Sequence, residues 1–464
     1  MEFFIIMLAL ALPACLGAAW LGLHVPGNAA ARAPLVWGNG TLLGLVAVPL
    51  LMRGLNALGL PLDFNTTAAV CAALILLAVV RRSTGLSPLS DGAVTASSRA
   101  LSTGERLLCG VLLALVVLRV GSLGLEIWWR PLFPWDATMH WATKARVWFE
   151  YRDMLPFVGH HEWLVTGGEG VFTDRHPHYP PMIPLLQVWM NLALGSWNES
   201  LMNLPWLACF AALGAAFYAQ LRGAGVAATV AAAFTYMLMS MPLINTHVAL
   251  AGYADLFLGA TYCCALMALH NWMRTRGTWQ AVLAVAFALA CPLVKSEGVI
   301  WASTLLPAAA VAYGSRGEAL KLIILLGLWG IFAVLVVPED VRILSYTIHD
   351  FAPAFNPEAL TGLLRSTWQH DNWHLFGYMA LAIIPLGIAV PGAMTRRLPG
   401  LTVALACAVG AFLYLFLFTG FAWGASNLSA VGRLSVHLVP GLLFLSALLF
   451  NELLQRQASR AAPR

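Results

Sequence analysis

The amino-acid sequence predicts an all-α, polytopic membrane protein. Of its 464 residues 60% are hydrophobic and 10% are Asp, Glu, Lys or Arg, and the mean hydropathy is +0.77. A soluble globular chain carries about a quarter charged residues. Apolar runs of about 17 to 25 residues, the length that crosses a hydrocarbon core, recur from one end to the other. Most Lys and Arg lie in short segments between these runs, where they set orientation. The net charge of +5 is therefore no sign of nucleic acid, and the expected surrounding is the lipid bilayer.

Taken in order, the spans fall at about 3–23, 35–53, 65–81, 106–126, 201–221, 225–243, 254–272, 278–294, 297–314, 319–338, 373–392, 400–422 and 433–452, about 13 in all. The first run, MEFFIIMLALALPACLGAAWLGL, lacks the basic start of a cleavable signal peptide and reads as a retained span. Arg81, Arg82, Arg99 and Arg106 flank one loop; Arg222, Arg274, Arg276, Arg316, Lys321, Arg396, Arg397, Arg456, Arg460 and Arg464 mark others. If all are cytoplasmic, the spans alternate without conflict and the N-terminus lies outside. The chain then divides into three leading helices (1–82), a Ser/Gly-rich cytoplasmic connector (83–105), a membrane core (106–455) and a cytoplasmic tail (456–464). Two long segments, about 127–200 and 339–372, face the non-cytoplasmic side. All eight cysteines lie within apolar stretches with no CxxC spacing, which leaves neither a disulfide framework nor a cysteine metal site.

Ionisable residues punctuate this apolar chain on the predicted external side. FPWDATMHWATKARVWFEY (133–151) follows a span directly, and its Trp and Tyr favour an interfacial helix. On such a helix Asp136, His140 and Lys144, spaced i, i+4, i+8, share one face; taken alone they read as a solvated face. DRHPHYPPMIPLLQVW (174–189) sets His176, His178 and Tyr179 among prolines that fix the backbone, ahead of an amphipathic stretch. The HxH pair lacks a third ligand, so these histidines read as interfacial or acceptor contacts, with no metal assigned. Asp255 sits at the mouth of a span, where hydration alone accounts for it equally well. Lys295 and Glu297 in PLVKSEGVIW interrupt two apolar runs, and ionisable groups at membrane depth are functional candidates by default. Arg433 and His437 in GRLSVHLVPG open the last span on the same side; Arg433 offers a bidentate phosphate contact or acts as a snorkelling arginine. Acids and bases at a lipid-accessible face suit sugar transfer from a lipid phosphate: one carboxylate deprotonates an acceptor hydroxyl, while Lys and Arg stabilise the leaving phosphate. No Gly-rich phosphate loop is present to hold a soluble nucleotide.

These motifs resemble, over about residues 106–455, the GT-C superfamily of polyprenyl-phosphate-sugar glycosyltransferases, in the branch of the protein O-mannosyltransferases and the lipid A aminoarabinose transferase. Asp136 in FPWDATMHW stands where that branch has the acidic residue of its first external loop that serves as catalytic base. YPPMIPLLQVWMNLALGSWNES is similar to its PPL stretch, amphipathic helix and FG-x-(N/S)-E. VKSEG matches a TKG-like turn, and GRLSVHLVPG an R-x-x-x-x-x-x-P entry to a late span. Three extra spans precede the core, and WDA stands where DE is common. The resemblance implies a GT-C-like bundle with a long periplasmic first core loop carrying amphipathic surface helices. It implies an inverting glycosyltransferase of the bacterial inner membrane, active at its outer face. Asp136 and Asp255 would be catalytic, and His140, Lys144, His176, His178, Tyr179, Lys295, Glu297, Arg433 and His437 would bind substrate. The partners would be a polyprenyl-phosphate sugar donor and a protein, lipid A or other glycan acceptor. No cofactor is implied, a divalent cation being left open. A transporter or flippase for a lipid-linked sugar is the first alternative. An O-antigen ligase or polymerase using a pyrophosphate-linked donor is the second, and Arg342 and Arg365 keep it open.

Overall fold

The computed structural model describes residues 2–84, 100–314, 316–336, 342–343, 346–370, 372–390 and 398–461, and the description is almost wholly helical. Most of the connector expected at 83–105, part of the 339–372 segment, and Arg99, Arg396, Arg397 and Arg464 lie outside these residues. The chain is an all-α polytopic membrane protein: among the described residues eight helices are long and apolar enough to cross a bilayer, or nine with one bent pair.

Helices α1 (Glu2–His24), α2 (Arg32–Ala57), α3 (Phe64–Ser83) and α4 (Thr103–Trp129) come first. A segment between α4 and the next long helix follows, with a π-helical turn at Ala137–Ala142, α5 (Thr143–Tyr151), short parallel strands β1 (Phe157–Val158) and β2 (Phe172–Thr173) around α6 (His160–Val165), and α7 (Met182–Leu194). Next are α8 (Leu204–Gly223), the pair α9 (Ala228–Ser240) and α10 (Pro242–Ala249) bent by 52°, and α11 (Asp255–Thr275). Helices α12 (Thr278–Val294), α13 (Gly298–Ser303), α14 (Leu305–Tyr313) and α15 (Arg316–Val336) precede a small antiparallel pair, β3 (Arg342–Ile343) and β4 (Tyr346–Thr347). The chain continues through α16 (Glu358–Leu364), α17 (Leu375–Ala389), α18 (Pro399–Phe418), α19 (Trp423–Ser426) and α20 (Val431–Ala461). Of the runs expected to span, 278–294 forms α12 over those same residues, 297–314 is divided between α13 and α14, and 373–392 forms the shorter α17; all three are apolar but shorter than the eight.

The leading helices pack directly on the rest of the bundle, and glycine is the reason. Lipid supplies no hydrophobic drive between apolar helices, so small residues that let backbones approach decide which helices pair. A Cβ on Gly17 would lie 1.8 Å from the Gly40 carbonyl oxygen, one on Gly44 1.7 Å from that of Pro13, and one on Gly38 2.4 Å from the Ala216 amide nitrogen. These contacts clamp α1 to α2 and α2 to α8. Gly44→Val should therefore lower unfolding stability in detergent by about 1–3 kcal/mol or more, whereas Gly54→Val, with nothing nearby, should not. Equal stability of the two variants would remove the clamp.

One expectation for the segment between α4 and α8 is corrected. The stretch read as an amphipathic surface helix, α7, is buried from Met182 through Leu192. Its two polar residues are buried with partners of their own: Gln187 Nε2 donates to Asn203 Oδ1 at 3.0 Å, and the Asn198 amide donates to Asn191 Oδ1 at 2.8 Å. Trp189 Nε1 donates to the Ala9 carbonyl of α1 at 2.8 Å, and the Trp189 ring meets Phe64 of α3 at 4.6 Å. Thus α7 docks the segment between α4 and α8 among the leading helices.

Candidate functional site

The ionisable residues collect at one end of the bundle. Asp255 begins α11, Lys295 follows the last residue of α12, Arg433 and His437 lie in the first two turns of α20, and Asp136 follows α4 across a short loop. Two glycines make this convergence possible. A Cβ on Gly259, one turn along α11 from Asp255, would meet the Val436 carbonyl oxygen at 2.6 Å, so α20 can lie directly against the start of α11. A Cβ on Gly298 would sit 2.1 Å from the Cys291 carbonyl oxygen. The absence of a side chain there lets the chain fold back at 295–298 and turn Lys295 inward.

Asp255 is the hub, fully buried. Its Oδ1 accepts from Lys295 Nζ at 2.9 Å and from His437 Nε2 at 3.1 Å, while its Oδ2 accepts from Arg433 Nε at 3.0 Å. Trp301 Nε1 donates to His437 Nδ1 at 3.0 Å, which leaves Nε2 as the proton-bearing nitrogen that faces Asp255. Lys295 also reaches Glu297 Oε1 at 3.3 Å. The Arg433 guanidinium extends past Asp255 to Asp136 Oδ2, which its Nη1 meets at 2.5 Å, and lies over the Tyr253 ring, 4.4 Å from its centre. Its Nη2 has no partner among the described residues. A buried ion cluster of this kind persists only when each charge is paired and hydrogen-bonded.

A second cluster stands beside the first, in the segment between α4 and α8. His140 Nδ1 lies 2.6 Å from Asp174 Oδ1, and Lys144 Nζ lies 2.7 Å from Asp174 Oδ2 and 2.7 Å from the His176 carbonyl oxygen. The His176 amide donates to Asp174 Oδ1 at 3.0 Å. Burial alone would raise the Asp174 carboxyl, but the His140, His176 amide and Lys144 hydrogen bonds together hold it down at about 2. Burial pulls the Lys144 ammonium below the ordinary lysine range against the opposing pull of Asp174. Burial, helped by His140, likewise lowers the His176 imidazole. The His140 ring meets His176 edge-on at 4.8 Å, and Tyr179 stacks between Trp141 at 4.8 Å and His176 at 4.7 Å.

Both clusters border one cavity of about 660 Å³. Asp136, His140, Arg175, His176, Lys295, Glu297 and Arg433 line its polar part. Most of its wall is apolar: Trp135, Val299, Ile300, Leu415, Phe416, Phe421 and Trp423. Among the described residues no three His, Cys, Asp or Glu side chains gather as for a metal ion.

The structure brings together most of the residues singled out from sequence and redistributes their roles. Asp136, His140 and Lys144 do not form one solvated face. His140 and Lys144 are buried and share Asp174, while Asp136 joins Arg433. The π-helical turn between Asp136 and Thr143 widens the helical repeat, so the spacing assumed for a regular helix does not hold. Asp255 and His437 lie behind the cavity wall, so they position Lys295 and Arg433 and do not face a ligand directly. Lys144 likewise stands behind His140. His178 does not line this cavity. It lines a neighbouring one of about 320 Å³ with Arg53 of α2 and Pro292, Tyr179 forming a wall of both. Asp174, Tyr253 and Trp301 are the partners that sequence reasoning missed. Asp174 was visible only as one more polar residue in a proline-rich loop; nothing local signals its burial.

Compared with protein-family models, with curated proteins and with solved structures, the chain matches none of them.

Proposed function

We propose that this protein is an inverting membrane glycosyltransferase that moves a sugar from a polyprenyl-phosphate donor to a glycan, lipid or protein acceptor. The observation that carries the reading is the pair Lys295 and Arg433, both presented to a largely apolar cavity and both anchored from behind by Asp255. A lipid phosphate needs that combination: fixed cations for the leaving phosphate, and an apolar wall for the isoprenoid chain. Arg433 offers its free Nη2 to phosphate, Lys295 adds a point charge, and Asp136 fixes the direction of the guanidinium. Preorganised charges of this kind favour the transition state, in which charge grows on the departing oxygen. The reading includes about 13 spans, a GT-C-like bundle, residence in a bacterial inner membrane and a site on its outer face.

The test incubates purified protein in detergent with radiolabelled prenyl-phosphate sugars and follows release of free prenyl phosphate. Turnover of one donor is the expected result and names the sugar. Donor binding without release of prenyl phosphate would instead mark a carrier. Lys295→Ala should weaken donor binding by about 10- to 100-fold, the worth of a hydrogen bond to a charged group. Unchanged affinity in folded variant protein would take Lys295 out of the phosphate site.

A further inference from the structure

Asp174 and His140 have no part in holding a phosphate, yet they are among the most tightly built groups at the cavity. The geometry points to an Asp174–His140 dyad as the general base of the site, with His140 Nε2 accepting the proton of the attacking hydroxyl. This rests on the transferase reading above and deepens it.

The argument begins with the tautomer. Asp174 is buried and held ionised by Lys144 and the His176 amide, so it can only accept a hydrogen bond. The 2.6 Å contact therefore places the imidazole proton on Nδ1 and leaves the Nε2 lone pair exposed. Nε2 has no protein partner among the described residues, and the His140 ring lines the cavity. The ring is fixed by His176 and Tyr179, whose stack with Trp141 prevents it from turning. A base held by a buried carboxylate and aimed into a substrate-sized cavity is the arrangement that proton abstraction requires. Asp136, the other candidate on this turn, already has Oδ2 committed to Arg433.

In the step, the acceptor oxygen bonds to the anomeric carbon as its proton passes to His140 Nε2. The bond from that carbon to the phosphate oxygen breaks, and its electron pair leaves with the prenyl phosphate, which departs one negative charge richer. The proton remains on the imidazolium, stabilised by Asp174, until water removes it. Asp174 is a positioning residue here, and Lys144 holds it from behind.

The test measures the pH dependence of kcat/KM for sugar transfer in the full-length protein. His140→Gln should lower the rate by about 10²–10⁴-fold and abolish the acid limb, and added imidazole should restore part of the activity of His140→Ala. Asp174→Asn removes a negative neighbour and should move the limb to lower pH by about one unit or more. Lys144→Met removes a positive one and should move it to higher pH. A cluster that merely pinned the loop would change stability and amplitude in these variants without shifting the limb in opposite directions. The charged and titratable groups around the ring are Asp136, Lys144, Asp174, Arg175, His176 and Tyr179, with Lys295, Glu297 and Arg433 across the cavity. Since His176 is a second imidazole lining the cavity, in edge-on contact with the His140 ring, His176→Gln is measured alongside and should keep the limb. Persistence of the limb in His140→Gln, or its loss in His176→Gln alone, overturns the dyad and leaves the transferase reading intact. Absence of turnover by the wild type with every donor overturns both.

Discussion

Asp255→Ala should destabilise the protein by about 3–5 kcal/mol, the loss expected when one partner of a buried ion pair is removed. The side chain is fully buried and receives Lys295, Arg433 and His437 together. Without it, Lys295, itself only 2% exposed, keeps Glu297 at 3.3 Å but loses its shorter partner. Arg433 loses one of two carboxylates, and the His437 N–H loses its acceptor. Denaturant unfolding in detergent measures the effect, and the double variant Asp255→Ala/Lys295→Met identifies its cause. Most of the penalty is an orphaned ammonium, so removing that ammonium as well should recover part of the stability. Additive losses would show that the two residues act independently, and an unchanged Asp255→Ala protein would end the description of Asp255 as a hub.

On the proposed transferase reading, Arg433→Lys should lose about 10³-fold in sugar transfer while the protein stays folded. The change keeps the charge and discards the shape. One planar guanidinium meets Asp255 through Nε, Asp136 through Nη1 and the cavity through Nη2, while its face rests on Tyr253. An ammonium has one nitrogen and no plane, so it cannot span two carboxylates and still address a phosphate. The expected loss is the size seen when a preorganised donor to a developing charge is removed. Single-turnover kinetics separate the parts: the chemical step should slow more than donor binding weakens, because the contact strengthens as the phosphate leaves. Wild-type turnover in Arg433→Lys would reduce Arg433 to a structural counter-ion.

The two variants probe one arrangement from opposite sides. Asp255 gives the cations a fixed position from inside the bundle, and Arg433 carries that position to the cavity and across to Asp136. Groups at such a site must be held by supporting contacts, since a small misplacement weakens their action on a transition state. Here the support comes from helix termini and from close backbone approach at Gly259 and Gly298.

Much of this was legible along the chain. Length and spacing of the apolar runs announce a helical membrane protein, because bilayer thickness imposes a local requirement on every span. Asp136, Lys295 and Arg433 stood out because a charge amid apolar sequence is costly wherever it ends up. Asp174 did not stand out, for in a polar loop an acid needs no explanation until its burial is known. Nor did the π-helical turn, whose extra residue leaves no mark in composition. The α7 stretch reads as amphipathic because Gln187 and Asn191 lie one turn apart, and only folding supplies the partners that bury them.

What the sequence by itself determined is the class of the protein and the short list of residues whose charge demands a reason. Which of them meet was decided by tertiary structure alone. Arg433 is 178 residues from Asp255 and 297 from Asp136, and no local pattern encodes a contact over such separations. Glycines that admit one backbone to another bring the helix ends together, and the cost of leaving a buried charge unpaired then selects the partners.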